Sequence, residues 1–153
     1  MLHPKRFERR RHPRINITLD ARFIIVSKCI DRDFSSGVIQ GKTISVSTRG
    51  VSLKTNTVQI NGLHIASSVS VSGKNTIQLE LDLPSCSKTI NAEAEVRWYD
   101  LTPEDNDFLY NVGLSFTNLN EENSEALKRF IMKEKRKEEK PRLAFIRKWF
   151  FRK

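Results

Sequence analysis

The chain has 153 residues, of which 38% are hydrophobic and 29% are charged, and its formal net charge is +9. This length and balance predict one globular domain with a modest core and leave little room for a second domain. No apolar run approaches a membrane-spanning length, and the charged N-terminus is unlike a signal peptide, so we expect a cytoplasmic protein.

The positive charge is concentrated at the two ends of the chain. Residues 1–14 carry six Lys or Arg against one acid, and residues 133–153 carry ten against three. The middle carries eleven basic residues against fourteen acidic ones. Basic ends of this kind attract phosphates, nucleic acid or anionic lipid, although a charge run taken alone is usually a solvated surface.

Alternating strands follow a basic arm. The arm, residues 1–14, is not expected to be helical, because His12 precedes a proline. From Ile15 onwards apolar and polar residues alternate with a period of two, as in a half-buried strand. Turn signals such as Asn61-Gly62 and Pro84 separate further strands. The predicted strands cover about residues 15–29, 38–44, 51–53, 77–83, 90–98 and 110–116.

No helix is predicted between these strands, and one is predicted after them. The fold class is therefore all-β: a six-stranded antiparallel β-barrel with a C-terminal α-helix and a basic tail. Asn118 and Glu121 form a candidate capping box for the helix, with Asn120 as a rival N-cap. Its apolar face lies at helical spacing and consists of Leu127, Phe130 and Ile131.

The tail after this helix has an unusual composition. Pro141 is predicted to break the helix. Residues 142–153 then hold six large apolar residues and five basic ones, with no acid. We expect an amphipathic contact segment, and its acceptor is either an anionic surface at the inner face of the membrane or a groove on a partner protein. The plainer alternative is that the segment folds back onto the barrel.

No pattern in the sequence indicates catalysis or a bound metal. The three histidines lie in loops or in the arm, and none has a Ser or Cys at a suggestive spacing. Cys29 and Cys86 are far apart and lack the spacing of a zinc or redox motif, so we expect reduced thiols. There is no HExxH, P-loop or GxGxxG pattern. We therefore expect no enzyme, no catalytic residues, no metal and no cofactor.

Two segments are candidates for binding an anion. Arg9, Arg10 and Arg14 lie directly before the first strand, and arginine bonds phosphate with a planar fork and stacks on aromatic faces. The segment Ser45–Gly50 is interpreted as a turn between two strands, with hydroxyl and backbone N–H groups available to an anion. Taken alone, such a segment is more often an ordinary turn.

Together the two segments resemble the signature of the PilZ family, which is Arg-x-x-x-Arg followed further along by Asp/Asn-x-Ser-x-x-Gly. Arg10 and Arg14 match the first part, and Ser47 and Gly50 match the second. Ser45 departs from the signature, because the family has Asp or Asn there. The resemblance extends over about residues 6–132 and includes the late-strand sequence Val-Arg-Trp at 96–98.

The resemblance implies a receptor for cyclic di-GMP. In the family the arginines grip the phosphates and stack on guanine, and the serine-glycine segment bonds the base. Losing a charge-assisted hydrogen bond at position 45 costs roughly 1.5–3 kcal/mol of binding. The ligand would order the arm and so change the surface offered to a protein partner. The implied ligand-binding residues are Arg9, Arg10, Arg14, Ser45, Ser47 and Gly50.

Two alternatives to this receptor stay open. One is a degenerate PilZ-like module that binds a protein and no nucleotide. The other is a small barrel that binds nucleic acid through its basic ends, which we do not expect because no strand is predicted to expose base-stacking aromatics. The predicted organisation is an arm at 1–14, a barrel with its closing helix at 15–132, and a basic extension and tail at 133–153.

Overall fold

The structure, a computed structural model, describes residues 13–28, 32–66, 75–84, 88–102 and 110–150, with side chains as far as residue 138. These residues form ten strands and one helix, α1 (Glu121–Phe150). The strands are β1 (Arg14–Asn16), β2 (Asp20–Lys28), β3 (Asp33–Ser35), β4 (Ile39–Ser47), β5 (Gly50–Thr55), β6 (Gln59–Ile60), β7 (Leu63–His64), β8 (Thr76–Leu83), β9 (Lys88–Leu101) and β10 (Tyr110–Asn118).

Six of these strands close into an antiparallel barrel. The ring runs β2, β4, β5, β10, β9 and β8, and β8 pairs with β2 again. The short strands β1 and β3 extend the ring by pairing with β4 and β2. β6 and β7 form a separate hairpin whose turn, Asn61-Gly62, has φ angles of 54° and 78°, as its sequence predicts. The predicted six-stranded barrel with a C-terminal helix is confirmed.

The barrel core comes from the period-two alternation of its strands. Along β8, for example, Ile77, Leu79 and Leu81 are buried, whereas the residues between them face outwards. Helix α1 contacts β9, β1 and β4, and it adds three buried side chains to the same core: Leu127, Phe130 and Ile131. The helix therefore belongs to the folded domain over its first three turns.

The predicted first strand is divided into β1 and β2, and both parts pair with β4. β1 pairs with Ser45–Ser47 and β2 with Ile39–Lys42. At the division, the Thr43 hydroxyl accepts a hydrogen bond from the Leu19 N–H at 2.7 Å and donates one to the Ile17 carbonyl at 2.6 Å. A buried side chain thus supplements the backbone hydrogen bonds, Ile17 N–H to the Ile44 carbonyl and Thr43 N–H to the Leu19 carbonyl, where β4 changes partners.

The start of α1 differs from the prediction. The side-chain Oδ1 of Asn120 accepts a hydrogen bond from the backbone N–H of Asn123 at 2.7 Å. Asn120 is therefore the N-cap, because its oxygen satisfies one of the free N–H groups of the first turn. The capping box predicted for Asn118 and Glu121 is wrong, since β10 continues through Asn118.

The end of α1 also differs, because the helix continues through Pro141 to Phe150. The predicted break is wrong. A proline removes only one backbone hydrogen bond of the helix, and the Lys, Glu and Arg residues before it are strong helix formers. Met132 and most of the side chains up to Glu138 are exposed. Within the described ranges, no helix is long and apolar enough to cross a membrane.

We predict that Thr43→Val lowers the free energy of unfolding by about 1–3 kcal/mol, because it leaves a buried N–H and a carbonyl without their partner. Thr43→Ser keeps the hydroxyl and should cost less. The exposed Thr18 supplies the control, since Thr18→Val should stay within about 0.5 kcal/mol of wild type. Urea unfolding measures all three variants, and an equal loss for valine and serine at position 43 would contradict the role of the hydroxyl.

Candidate functional site

The predicted anion-binding turn is mostly strand. β4 runs to Ser47 and β5 begins at Gly50, so only Thr48-Arg49 connects them. Ser45 lies inside β4, because its backbone pairs with β1 on one side and with β5 on the other. The interpretation of the whole segment as a turn is therefore corrected.

Ser47 and Gly50 shape the short connection. The Ser47 hydroxyl accepts the N–H groups of Arg49 at 3.1 Å and Gly50 at 3.2 Å, and it donates to the Gly50 carbonyl at 3.2 Å. A Cβ at Gly50 would lie 2.1 Å from the carbonyl oxygen of Leu114, so a larger residue would push β5 away from β10. Ser47 and Gly50 therefore determine the backbone geometry of the connection and the close spacing of β5 and β10.

A row of outward-facing residues crosses five neighbouring strands beside this connection. Asn16 on β1 is opposite Ser45 on β4, and Ser45 is opposite Ser52 on β5. Ser52 is opposite Gly113 on β10, and Gly113 is opposite Trp98 on β9. Directly opposite residues of antiparallel strands share a face. The row therefore has small residues in its middle and larger ones at both ends.

The three small residues of this row, Ser45, Ser52 and Gly113, form what we call the serine floor. The hydroxyl oxygens of Ser45 and Ser52 are 2.7 Å apart, and Ser45 is only 6% exposed. The indole of Trp98 lies over Gly113, because a Cβ there would be 2.2 Å from the indole Nε1. The floor is thus bordered by the indole on one side and by Asn16 on the other.

A β-bulge explains why Trp98 faces outwards. The alternation of β9 predicts that Trp98 follows Val96 into the interior. In the pairing with β10, however, Val96 is opposite Leu114 and Trp98 is opposite Gly113. β9 therefore advances by two residues where β10 advances by one. A bulge of this kind re-aims side chains. Trp98 is consequently 49% exposed, and Arg97 beside it is exposed as well.

This finding overturns the expectation that no strand exposes an aromatic side chain. Trp98 and Tyr99 on β9 are 49% and 45% exposed, and Phe34 on β3 is 45% exposed. Base-stacking aromatics are therefore present on the barrel surface, and the reason given from sequence for not expecting nucleic-acid binding is wrong.

The serine floor lies in a cleft of about 200 Å³ that is lined by arginines from three elements. Arg14 comes from β1, Arg49 from the connection between β4 and β5, and Arg97 from β9. Arg97 forms an ion pair with Glu95, with 3.2 Å between Nη2 and Oε1, and both side chains reach solvent. Guanidinium forks and an exposed indole face suit a ligand that combines phosphate with a flat ring.

A larger groove of about 420 Å³ lies elsewhere, on the outer face of β2, β8 and β9. Among the described residues that line it, the only arginine is Arg22, which bonds Glu80 at 3.1 Å and Asp82 at 2.7 Å. These hydrogen bonds from Arg22 hold the pKa of Asp82 below its usual value. Arg22 is bonded to two carboxylates and is the only arginine among the described residues of this groove, so the smaller cleft, which has three arginines, is the better candidate.

The structure brings four of the six predicted binding residues to the smaller cleft: Arg14, Ser45, Ser47 and Gly50. Arg9 and Arg10 lie outside the described residues, as do Cys29 and Cys86, and their predicted roles stay predictions. Sequence reasoning missed the remaining polar and aromatic lining: Arg49, Ser52, Arg97, Trp98 and Ser115. Arg49 lies inside the quoted signature and could have been suspected, whereas Trp98 required knowledge of the bulge.

A family model described as the PilZ domain matches residues 8–133. The chain therefore belongs to the PilZ domain family. No curated protein matches the chain in sequence.

Solved structures share the fold at low identity. The PilZ domain with c-di-GMP of YcgR from Escherichia coli is 14% identical, with a TM-score of 0.58 over 88% of this chain and 97% of that one. The Bacillus subtilis inhibitor of motility MotI/DgrA is 18% identical, with a TM-score of 0.56 over 86% of this chain and 53% of that one. This chain thus spans about half the length of the Bacillus protein. At such identities the likeness shows the fold alone.

Proposed function

We propose that this chain is a receptor for cyclic di-GMP. The observation that carries the proposal is the cleft itself, in which Arg14, Arg49 and Arg97 surround a floor of small residues beside the exposed face of Trp98. A dianion with two flat bases matches those groups, because arginine binds phosphate and both indole and guanidinium stack on rings. Membership of the PilZ family and the c-di-GMP in a solved relative support the choice of ligand.

The arm is proposed to complete the site. Arg14 is held in β1 opposite Ser47, so its backbone is part of the barrel. Arg10 is four residues earlier, and an extended chain of that length reaches roughly 14 Å. That distance is comparable with three strand spacings of about 4.8 Å, so Arg9 and Arg10 are within reach of a ligand on the serine floor.

We propose a binding module rather than an enzyme. Among the described residues that line the cleft there is no carboxylate, histidine or cysteine. A serine hydroxyl without an adjacent base is a weak nucleophile. The hydroxyls of the cleft therefore serve recognition and shape.

We predict that Arg14→Ala weakens the binding of cyclic di-GMP by roughly ten- to a hundredfold, because it removes charge-assisted hydrogen bonds to phosphate. Arg10→Ala should have a similar effect. Arg129, which is exposed on α1, supplies the matched control, and Arg129→Ala should bind as wild type does. Calorimetry measures the affinities, and circular dichroism checks the fold.

Three results, two from that titration and one from a titration with nucleic acid, would contradict the proposal or its assignment to the cleft. Wild-type protein that releases no heat with cyclic di-GMP would favour the degenerate interaction module. If Arg14→Ala bound cyclic di-GMP with wild-type affinity, the cleft would not be the binding site. A stronger, sequence-independent affinity for DNA or RNA that falls steeply with salt would favour the nucleic-acid alternative.

We propose further that the ligand orders the arm and so changes the surface offered to a protein partner. Residues 1–14 combine dense like charge with no apolar alternation, a composition that favours ordering on ligand binding. Amide exchange of residues 9–14 should therefore slow when cyclic di-GMP is added, while exchange in β8 stays the same. Equally slow exchange with and without ligand would rule out this switch.

The C-terminal segment 142–153 is proposed to be a contact segment for an anionic membrane surface or for a partner groove. Its bases and large apolar residues suit both acceptors. Among the apolar side chains of α1 that the structure describes, those that pack against the barrel lie at 126–131 and precede this segment.

Deleting residues 141–153 should therefore leave the melting temperature and the nucleotide affinity unchanged. Association with anionic vesicles, or with a partner protein, should be lost. A large fall in the melting temperature would show instead that the segment belongs to the folded core.

A further inference from the structure

The serine floor lacks a group that reads a base. The Ser45 hydroxyl is engaged with Ser52 at 2.7 Å, and the residue is 6% exposed. At this exposure the hydroxyl has little access to the two adjacent N–H donors of a guanine edge. A ligand base on the floor must therefore find its acceptor at the border of the floor.

The arginines and the tryptophan at that border do not supply an acceptor. The guanidinium groups of Arg14, Arg49 and Arg97 only donate hydrogen bonds, and the indole of Trp98 only donates as well. These groups suit phosphate oxygens and ring faces. Guanine, however, presents its N1–H and N2–H as donors.

Asn16 adjoins the serine floor on β1 and carries a carboxamide oxygen that can accept them, although the residue does not line the cleft itself. It is the cross-strand partner of Ser45, so its Cβ lies about 4.5–5.5 Å from that of Ser45 on the same outer face. Its side chain is exposed, and within the described ranges its carboxamide has no hydrogen-bonding partner. The strand beneath it is firmly held, since Ile15 is buried in the core and is 2% exposed.

We infer that Asn16 supplies the base-reading acceptor that Ser45 does not, so that guanine is recognised from β1 and not from β4. The inference rests on the proposed cyclic di-GMP site and adds a residue to it. The carboxamide oxygen accepts from guanine N1–H or N2–H, and the amide nitrogen donates to O6. The departure of position 45 from the family signature is thus compensated by its neighbour across the strand pair.

Two substitutions separate base reading from a merely structural role. Asn16→Ala should lower the affinity for cyclic di-GMP about tenfold. Asn16→Asp should bind cyclic di-GMP at least as tightly as wild type does, because a carboxylate accepts both guanine N–H groups. The same carboxylate cannot donate to N1 of adenine, so the preference for cyclic di-GMP over cyclic di-AMP should rise by about tenfold or more. Thr18→Ala, at an exposed position two residues further along the chain, serves as the control and should bind as wild type does.

Calorimetry of wild type and these variants with both cyclic dinucleotides decides the matter. If wild type binds cyclic di-GMP and Asn16→Ala binds it with the same affinity, this inference is overturned and the receptor proposal stays intact. A weaker binding of Asn16→Asp than of Asn16→Ala would place phosphate, not guanine, beside Asn16 and would also overturn it. Wild type that binds neither dinucleotide would overturn both proposals.

Discussion

The change of partners along β4 is the constraint on which the rest of the structure depends. β4 pairs with β5 on one edge, while its other edge is shared between β2 and β1. The buried Thr43 hydroxyl bridges the two by bonding both Leu19 and Ile17, so the barrel closes without leaving those backbone groups unpaired. Because β1 is held by the far end of β4, Arg14 and Asn16 are delivered to the outer surface beside the serine residues.

Two local irregularities then convert an ordinary barrel surface into a cleft. The bulge in β9 turns Trp98 out of the core, and Gly113 leaves room for its indole beside β10. Gly50 allows β5 to approach β10 closely at the edge of the cleft. Regular strands would have placed the large side chains inside and left this face flat. The concave surface therefore arises from departures from regular pairing, which is common near binding sites.

The chemistry of the cleft divides between two kinds of group. The arginines come from separate elements and concentrate positive charge at one place on a domain that is otherwise slightly acidic. The floor beside them is small, neutral and nearly buried at Ser45. A ligand with separate phosphate and ring parts matches this division, and one with phosphate alone would leave the floor and the indole unused.

Local sequence patterns were sufficient to predict the class of fold and to suggest the family. Period-two alternation needs only local chemistry, so the strands of the ring, the Asn61-Gly62 hairpin and the buried face of α1 were predictable. The order of the arginine and serine-glycine segments was likewise sufficient to suggest the family. These features are local, or they depend on order along the chain.

Only the tertiary structure decided which residues meet. The row from Asn16 to Trp98 joins residues that are far apart in sequence. Strand register decides which of them are neighbours, and a shift of one residue would change every pair. Alternation placed Trp98 inside, and the bulge placed it outside. Asn120 capped α1 in place of the predicted box because β10 continued through Asn118. Long-range pairing therefore decided these outcomes, which local preference alone does not specify.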